Sequence, residues 1–148
     1  MAIQLNFEPY AASKQNPPTP LLRKGISMIV TEEVAVAFAK AWIDAWNSHN
    51  LDRVLEHYTD NVNFHSPFIV KVLGDSSGRI TGKPALKAYF ARALAAYPDL
   101  HFQLHTVLSG VNGITLYYTS VQNLLAAETM LLDTAGTIAT VHAHYNHV

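Results

Sequence analysis

Hydrophobic residues recur at helical spacing in the first half of the chain. From residue 31 to about residue 50 they return every three or four positions, which predicts an amphipathic helix. Thr31 is followed directly by Glu32 and Glu33, a pattern typical of a helix N-cap with acidic residues in the first turn. The predicted apolar stripe consists of Val34, Phe38, Ala41, Trp42, Ala45 and Trp46. We therefore expect this helix to pack one face against a core.

Two further helices and one short strand are predicted before residue 99. Residues 51–58 fit a second helix, and residues 83–97 fit a third helix with a proline in its first turn. Between them, residues 62–66 alternate apolar and polar side chains and stop at Pro67, which cannot donate to a strand ladder. The polar stretch 74–82 predicts a loop.

The remainder of the chain has the pattern of a strand meander. Turn-forming residues at 110–113, 122–123 and 133–136 separate apolar, β-branched runs at hairpin spacing. Because helices come first and strands follow, the predicted fold class is α+β, with three N-terminal helices packed on an antiparallel sheet. We assign the folded domain to residues 28–148.

The first 27 residues differ from the rest, because they contain four of the seven prolines. Proline resists both helix and strand ladder, so residues 1–27 are interpreted as an N-terminal extension appended to the domain. An alternative stays open, in which alternating apolar residues form a short strand that docks on a partner or on an open sheet edge. The residues concerned are Ile3, Leu5, Phe7 and Tyr10.

Composition narrows the classes of function. The 148 residues are 49% apolar and 14% charged with a net charge of −1, which indicates one globular domain and argues against binding nucleic acid or a membrane surface. The absence of cysteine excludes disulfides, thiol nucleophiles and cysteine-based metal sites. No Gly-rich phosphate loop or nucleophile elbow is present, so no cofactor is expected. With no signal-peptide pattern and no apolar stretch near the ~20 residues of a spanning helix, a soluble cytoplasmic protein is expected.

The assumed turns orient every strand of the meander, because opposed residues in a hairpin point to the same side of the sheet. A turn that pairs Val121 with Leu124 places Glu128 opposite Tyr117. One face then carries Phe102, Leu104, Thr106, Tyr117, Glu128, Met130, Val141, Ala143 and Tyr145. The other face carries His101, Gln103, His105, Leu116, Tyr118, Thr129, Leu131, Thr140, His142 and His144.

Glu128 is the candidate for chemistry on the first face. It is a lone carboxyl in the apolar run LLAAETMLL, where burial would raise its pKa and favour a neutral, proton-donating acid. A structural role is the alternative, in which Glu128 hydrogen-bonds Tyr117 or Trp42 or sits near the rim. Sequence alone leaves both open.

Four histidines fall on the second face, with His142 and His144 side by side at strand spacing. A metal site would need a third ligand, which His101 or His105 could supply. A subunit interface is the simpler interpretation, since neutral histidine is tolerated among apolar and threonine side chains. We therefore predict no metal and a homodimer formed through this outer face, which acid should weaken by protonating the histidines.

Three segments carry a family resemblance. AWIDAWNSHNLDRVLEHYTDNVNFHSP, GKPALKAYFARALAAYPDLHF and ETMLLDTAGTIATVHAHY resemble the nuclear transport factor 2-like superfamily, and within it the SnoaL-like polyketide cyclases and the ketosteroid isomerases. The resemblance covers residues 31–145. It implies a cone-shaped, cystatin-like roll, in which a bent sheet wraps a long helix around a deep apolar pocket and whose outer face commonly forms dimers. Members of this superfamily include enzymes, carriers and domains without chemistry.

The resemblance also assigns site residues. The isomerases' oxyanion-hole tyrosine falls on Trp42, their general-base aspartate on Ser66 and their protonated aspartate on Glu128. Serine is no base at neutral pH without an activating partner, which argues against steroid double-bond isomerisation of the known type. Cyclase chemistry would need Glu128 with His65 nearby, yet His65 alternates with Ser66 and points away if Ser66 points in.

The resulting hypothesis is a pocket for a small hydrophobic carbonyl compound, with Glu128 as acid or base in a cofactor-free isomerase, cyclase or hydratase. The predicted pocket residues are Trp42, Trp46, Tyr58, Phe64, Ser66, Phe90, Phe102, Tyr117, Met130 and Tyr145. Two alternatives remain open: binding of a small ligand without catalysis, and a protein-interaction domain that uses the outer sheet face.

Overall fold

The computed structural model describes residues 28–148, so the predicted N-terminal extension and its possible strand lie outside the described residues. The helices are α1 (Glu32–Asn47), α2 (Leu51–Leu55), α3 (Pro67–Leu73) and α4 (Lys83–Ala96). The strands are β1 (Tyr58–His65), β2 (Arg79–Thr81), β3 (Gln103–Ser109), β4 (Gly113–Thr119), β5 (Leu125–Leu132) and β6 (Ile138–Tyr145). No helix in residues 28–148 is long and apolar enough to cross a membrane.

The strands form one six-stranded sheet in the order β2-β1-β6-β5-β4-β3. Its neighbours pair antiparallel except for β1 and β6, which run parallel. The sheet is therefore mixed, because the first strand joins the meander beside its last strand. The predicted α+β class, with helices packed on a curved sheet, is confirmed, while the parallel pairing of β1 with β6 departs from the antiparallel sheet that the sequence predicts.

Helix α1 begins where the sequence predicts, because the Thr31 hydroxyl accepts a hydrogen bond from the Val34 N–H at 3.3 Å. The buried stripe is rotated by about one position from the predicted one. Val34 is 53% exposed, whereas Ala35 and Ala39 are buried. Trp42 and Trp46 remain on the buried side and reach the core between α1 and the sheet.

The region between α1 and α4 differs from the prediction. Helix α2 ends at Leu55, and Tyr58 already belongs to β1. The start of β1 is held beside β6 by a hydrogen bond from the Ile138 N–H to the His57 carbonyl at 2.8 Å. After Pro67 the chain forms α3, so residues 28–148 contain four α-helices where three are predicted. The stretch predicted as a polar loop contains β2. Sequence signals for α3 are present: Ser66 caps the helix, proline opens it and Gly74 closes it with φ +70°.

The register between β4 and β5 corrects the predicted facing of β4. Thr119 pairs with Leu125, so Glu128 lies opposite Leu116 and not opposite Tyr117. The connection 120–124 contains a short 3-10 turn rather than the assumed two-residue turn, closed by a 2.7 Å hydrogen bond from the Ser120 N–H to the Leu124 carbonyl. A shift of one residue reverses every side chain beyond it.

Two other irregularities affect the facing of β3 and β6, and apart from the end of β3 from Thr106 onward these strands face as predicted. A bulge at His105 pairs Leu104 with Tyr118 but Thr106 with Tyr117, which returns the start of β3 to the inner face. Between β5 and β6 the pairing differs from the prediction by two residues, so Glu128 lies opposite Ala143 and faces the same side. The predicted inward facing is therefore wrong for Thr106 and Tyr117, and the predicted outward facing is wrong for Leu116 and Tyr118.

Candidate active site

A small cavity lies between α1, α4 and the inner face of the sheet. Its volume is about 50 Å³, far below the roughly 300–1,000 Å³ of typical drug-sized pockets. The walls are aromatic: Trp42 stacks on Phe102 at 5.9 Å between ring centroids, and Trp46 meets Phe90 edge-on at 4.6 Å. As it stands, the cavity has room for a compact group of a few heavy atoms.

A second cavity of about 240 Å³ adjoins the first. The two share Tyr97, Leu100 and Val121 in their linings. Val121 belongs to the 3-10 turn after β4, in which Gln122 and Asn123 hold positive φ values of 56° and 58°. The inner cavity and the second cavity therefore meet at Tyr97, Leu100 and Val121.

The chemically distinctive group of the inner cavity is the carboxyl of Glu128. Strand alternation in β5 turns it inward, and Tyr118 on β4 donates a hydrogen bond from its hydroxyl to Glu128 Oε2 at 2.7 Å. Both side chains are buried, and Glu128 Oε1 has no partner. Burial raises the pKa of Glu128 to about 7, although the Tyr118 hydrogen bond works in the opposite direction. The carboxyl can therefore give or take a proton near neutral pH.

Phenol groups surround this carboxyl. Burial, reinforced by the negative charge of Glu128, raises the pKa values of the cluster formed by Tyr58, Tyr89, Tyr118 and Tyr145. These hydroxyls are consequently neutral at physiological pH. Among the described residues, no Lys, Arg or His lines the cavity. The site thus offers neutral hydrogen-bonding groups and a single carboxyl.

The indoles of α1 are used unequally. Trp42 donates its N–H to the Tyr58 hydroxyl oxygen at 3.0 Å. Trp46 Nε1 is buried and has no hydrogen-bond partner. Its proximity lowers the pKa of Tyr58, against the larger effect of burial, but the two groups form no hydrogen bond. Of the two indoles in the cavity wall, Trp42 therefore has a hydrogen-bond partner for its N–H and Trp46 does not.

The histidines form no metal site in the part of the chain that the structure describes. His65 and His142 stack with ring centroids 4.2 Å apart and planes within 6°. Parallel stacked rings cannot both direct a nitrogen at one ion, and His65 Nδ1 already lies 2.9 Å from the Val141 carbonyl oxygen. His105 instead contacts Thr119, at 2.7 Å, while His101 is exposed before β3.

The family is decided by a match of the SnoaL-like domain model to residues 39–145. The chain belongs to the SnoaL-like domain family. The predicted resemblance is thereby confirmed at the level of family and fold. No curated protein matches the chain.

Solved structures share the SnoaL-like fold. A SnoaL-like protein of unknown function from Burkholderia thailandensis is 38% identical, with a TM-score of 0.77 and coverage of 80% of this chain and 98% of that one. A candidate ketosteroid isomerase from Kribbella flavida is 16% identical, with a TM-score of 0.60 and coverage of 79% and 81%. A cystatin-like protein of unknown function from Methylobium petroleophilum is 14% identical, with a TM-score of 0.64 and coverage of 82% and 81%. The latter two show the fold alone.

In this SnoaL-like domain the predicted site residues separate into three groups. The cavity is lined by Trp42, Trp46, Phe64, Phe90, Phe102, Glu128 and Tyr145. Tyr58, Ser66 and Met130 are buried outside that lining, where Tyr58 receives the Trp42 N–H and Ser66 accepts the Phe68 N–H at 3.2 Å as the cap of α3. Tyr117 is 39% exposed on the outer face, so its predicted place in the pocket is wrong.

Sequence reasoning missed several residues that line the cavity. They include Phe68, Tyr89, Tyr97, Leu100, Tyr118 and Val121. Tyr118 had a usable signal, because Ile114, Leu116 and Tyr118 alternate with Thr115 and Thr119, and the more apolar set of a strand usually faces the core. Phe68 lies in the first turn of α3, so recognising the Ser66 cap and Pro67 as a helix start would have identified it as a buried position.

Proposed function

We propose that this SnoaL-like domain binds a small, neutral, largely apolar carbonyl compound in the inner cavity and that Glu128 moves a proton on it without a cofactor. The observation that supports this most directly is a buried carboxyl, with a pKa of about 7 and one free oxygen, in the wall of an aromatic cavity. Isomerase, cyclase and hydratase chemistry all use such a group.

The expected step is a proton transfer next to a carbonyl. The ionised form of Glu128 takes a proton from the carbon beside the carbonyl, which leaves an enolate. The same carboxyl, now protonated, returns the proton to a carbon or to the oxygen. A pKa near the working pH keeps both forms populated, which is the condition for efficient general acid and base catalysis.

The cavity lining supports a neutral ligand. An anionic ligand would find no Lys, Arg or His among the described lining residues, and it would meet the Glu128 carboxyl. The inner volume limits the reacting part to a compact group. A larger ligand would extend past Tyr97 and Val121 into the adjoining cavity.

The test uses deuterium exchange, which requires no knowledge of the natural substrate. We expect the protein to speed incorporation of deuterium beside the carbonyl of cyclopentanone in D2O, monitored by proton NMR. Glu128→Gln keeps the shape of the side chain but cannot take the proton, so the rate should fall by about 10²–10⁴-fold. Glu33→Gln makes the same chemical change at an exposed carboxyl in the first turn of α1, outside the linings of both cavities, so it is the matched control and should leave the rate unchanged.

Binding without exchange would favour the alternative, a non-catalytic carrier of small ligands. The observation that favours this alternative is that Glu128 is the single carboxyl among the described residues that line the inner cavity. Cyclopentanone would then perturb the resonances of the lining aromatic residues, with identical exchange rates in the presence and absence of protein. If cyclopentanone neither binds to the protein nor exchanges faster in its presence, both versions of the proposal are contradicted.

The outer sheet face supports a second, separate candidate function. Leu108, Tyr117, Leu125 and Leu131 are each more than a third exposed there, on consecutive strands. Apolar side chains grouped on one face of a sheet are typical of protein contacts, and a second copy of the chain would place the same patch opposite itself. We propose a homodimer through this face, to be tested by sedimentation as described below.

A further inference from the structure

Two buried polar side-chain atoms lack a hydrogen-bond partner within residues 28–148: Trp46 Nε1 and Glu128 Oε1. Both belong to residues that line the same inner cavity. Buried polar groups without partners are few in native proteins, and each one requires an explanation. Because both atoms belong to residues around one cavity, we expect a polar ligand in that cavity to form hydrogen bonds with them.

Trp46 is distinguished by comparison with Trp42, which lies one turn earlier on the same helix. Both indoles are buried, at 1% exposure for Trp42 and 5% for Trp46. The Trp42 N–H is already committed to Tyr58, at 3.0 Å. The family resemblance placed an oxyanion-binding group on Trp42, yet the indole donor that remains available belongs to Trp46.

The Trp46 ring is held in a fixed place. It meets Phe90 edge-on at 4.6 Å between centroids, Phe102 at 5.5 Å and Trp42 at 6.0 Å. An indole nitrogen is a donor only, so it is completed solely by an acceptor such as a carbonyl or hydroxyl oxygen. Glu128 Oε1 is different, because a carboxyl donates a hydrogen bond when protonated and accepts one when ionised.

We infer that the cavity recognises its ligand at two points, with the Trp46 N–H donating to a carbonyl oxygen and Glu128 Oε1 contacting a neighbouring polar or acidic position of the same compact, neutral molecule. This inference rests on the proposed ligand site and names its second polar contact. Trp46 is then the residue that distinguishes a carbonyl compound from a hydrocarbon of equal shape. Leaving a buried N–H unpaired penalises the hydrocarbon.

The experiment compares cyclopentanone with methylenecyclopentane, which replaces the carbonyl oxygen by a CH₂ group. The indole N–H resonances of the 15N-labelled protein report on the two tryptophans separately. Trp46→Phe assigns one resonance and Trp42→Phe the other. We expect cyclopentanone to shift the Trp46 resonance downfield in the manner of a new hydrogen bond, and methylenecyclopentane to leave it nearly in place.

Affinity supplies the second readout. The wild-type protein should prefer the ketone over the hydrocarbon, and Trp46→Phe should reduce that preference by about two- to tenfold, the usual value of one neutral hydrogen bond. Tyr117→Phe, which removes a hydroxyl on the outer sheet face away from the cavity lining, should leave the preference unchanged. Equal responses of Trp46 to both probes, or an unchanged preference in a folded Trp46→Phe, would overturn the inference while the ligand site stands. Absence of binding by both probes would instead contradict the ligand site itself.

Discussion

The two faces of the sheet carry similar residue types, but those on the inner face are buried and those on the outer face are exposed to solvent. Tyr118 and Tyr117 are neighbours on β4, yet the first is 1% exposed and bonded to Glu128, and the second is 39% exposed beside His105. On β5 the inward Glu128 is 2% exposed, whereas the hydroxyl of the outward Thr129 hydrogen-bonds the Thr115 hydroxyl across the strands at 3.0 Å. A shift of one residue in the register of β4 would therefore exchange the tyrosine beside Glu128 in the candidate active site with the tyrosine on the candidate dimer face.

The faces also respond differently to pH, although loss of water is the leading cause on both. Burial raises the pKa of Glu128, because the carboxylate loses its hydration. Loss of hydration lowers the pKa of His142, assisted by the nearby His65 and His144. Each face disfavours the charged form of its own titratable group. Near pH 7 the His142 imidazole on the outer face is therefore neutral, whereas the Glu128 carboxyl on the inner face populates both its neutral and its ionised form.

The largest expected contrast comes from truncating the two neighbouring tyrosines of β4. Tyr118→Ala removes a buried ring from the cavity wall and the hydrogen bond to Glu128, which should lower the free energy of unfolding by about 3–5 kcal/mol. Tyr117→Ala removes cross-strand contact on the outer face and should cost about 1 kcal/mol or less. Urea denaturation measures both. Equal losses would mean that the register of β4 is not the one described.

That contrast also shows where sequence reasoning reaches its limit. Local signals were sufficient for the start of α1 at Thr31 and for the strand meander that follows the last helix, because capping and periodicity depend on neighbours in the chain. Register depends on how a connection closes, and the turn at residues 120–124 holds more residues than a tight hairpin needs. The bulge at His105 then compensates for it in β3, and nothing near His105 in the sequence announces a bulge.

The candidate site was predictable to the same extent. The inward facing of Glu128 follows from alternation within β5, and the structure places it in the cavity wall. Its partner could not be identified without the register, so Tyr117 was expected where Tyr118 stands. The unpaired N–H of Trp46 had no sequence signal, because whether a donor is satisfied depends on the exact placement of Tyr58 relative to both indoles.

Glu128→Gln gives the next largest effect, and its sign depends on pH. The pKa of Glu128 rises from 4.5 to about 7 on folding, so folding favours the protonated form. Stability attributable to this group is full below pH 4.5 and is lost as the pH rises towards 7. Each pKa unit is worth about 1.4 kcal/mol, so the wild type should lose about 3 kcal/mol relative to Glu128→Gln across that interval.

Chemical denaturation of both proteins at several pH values measures the difference. Tyr118→Phe, which removes the hydrogen bond that lowers the pKa of Glu128, should move the loss to higher pH and provides the internal control. A constant difference between wild type and Glu128→Gln from acid to neutral pH would show that Glu128 is ionised in the folded protein as readily as in water.

Changes on the outer face should affect assembly far more than folding. Leu131 is 45% exposed in β5, so Leu131→Lys should alter the free energy of unfolding of one copy by about 0.5 kcal/mol at most. In a homodimer through this face the two introduced charges would oppose each other, and sedimentation at neutral pH should show the mass falling to that of one chain. Val70→Lys, a similarly exposed apolar residue on α3, is the matched control. An unchanged mass in Leu131→Lys would place any assembly elsewhere.

The smallest effect concerns His142, and it links the outer face to pH. Because the pKa of His142 is lowered from 6.5, its neutral form is favoured in the folded protein, and this contribution is lost as the pH falls. A proton added beside His65 and His144 in each copy would bring like charges together across the proposed interface, so the dimer should dissociate more readily at about pH 5.5 than at about pH 7.5. His142→Gln removes the titrating group while leaving Leu131 and Tyr117 in place, and sedimentation should then show a smaller change between the two pH values. If the variant and the wild type show the same change between the two pH values, another group causes the acid sensitivity of the dimer, and His142 does not link the outer face to pH.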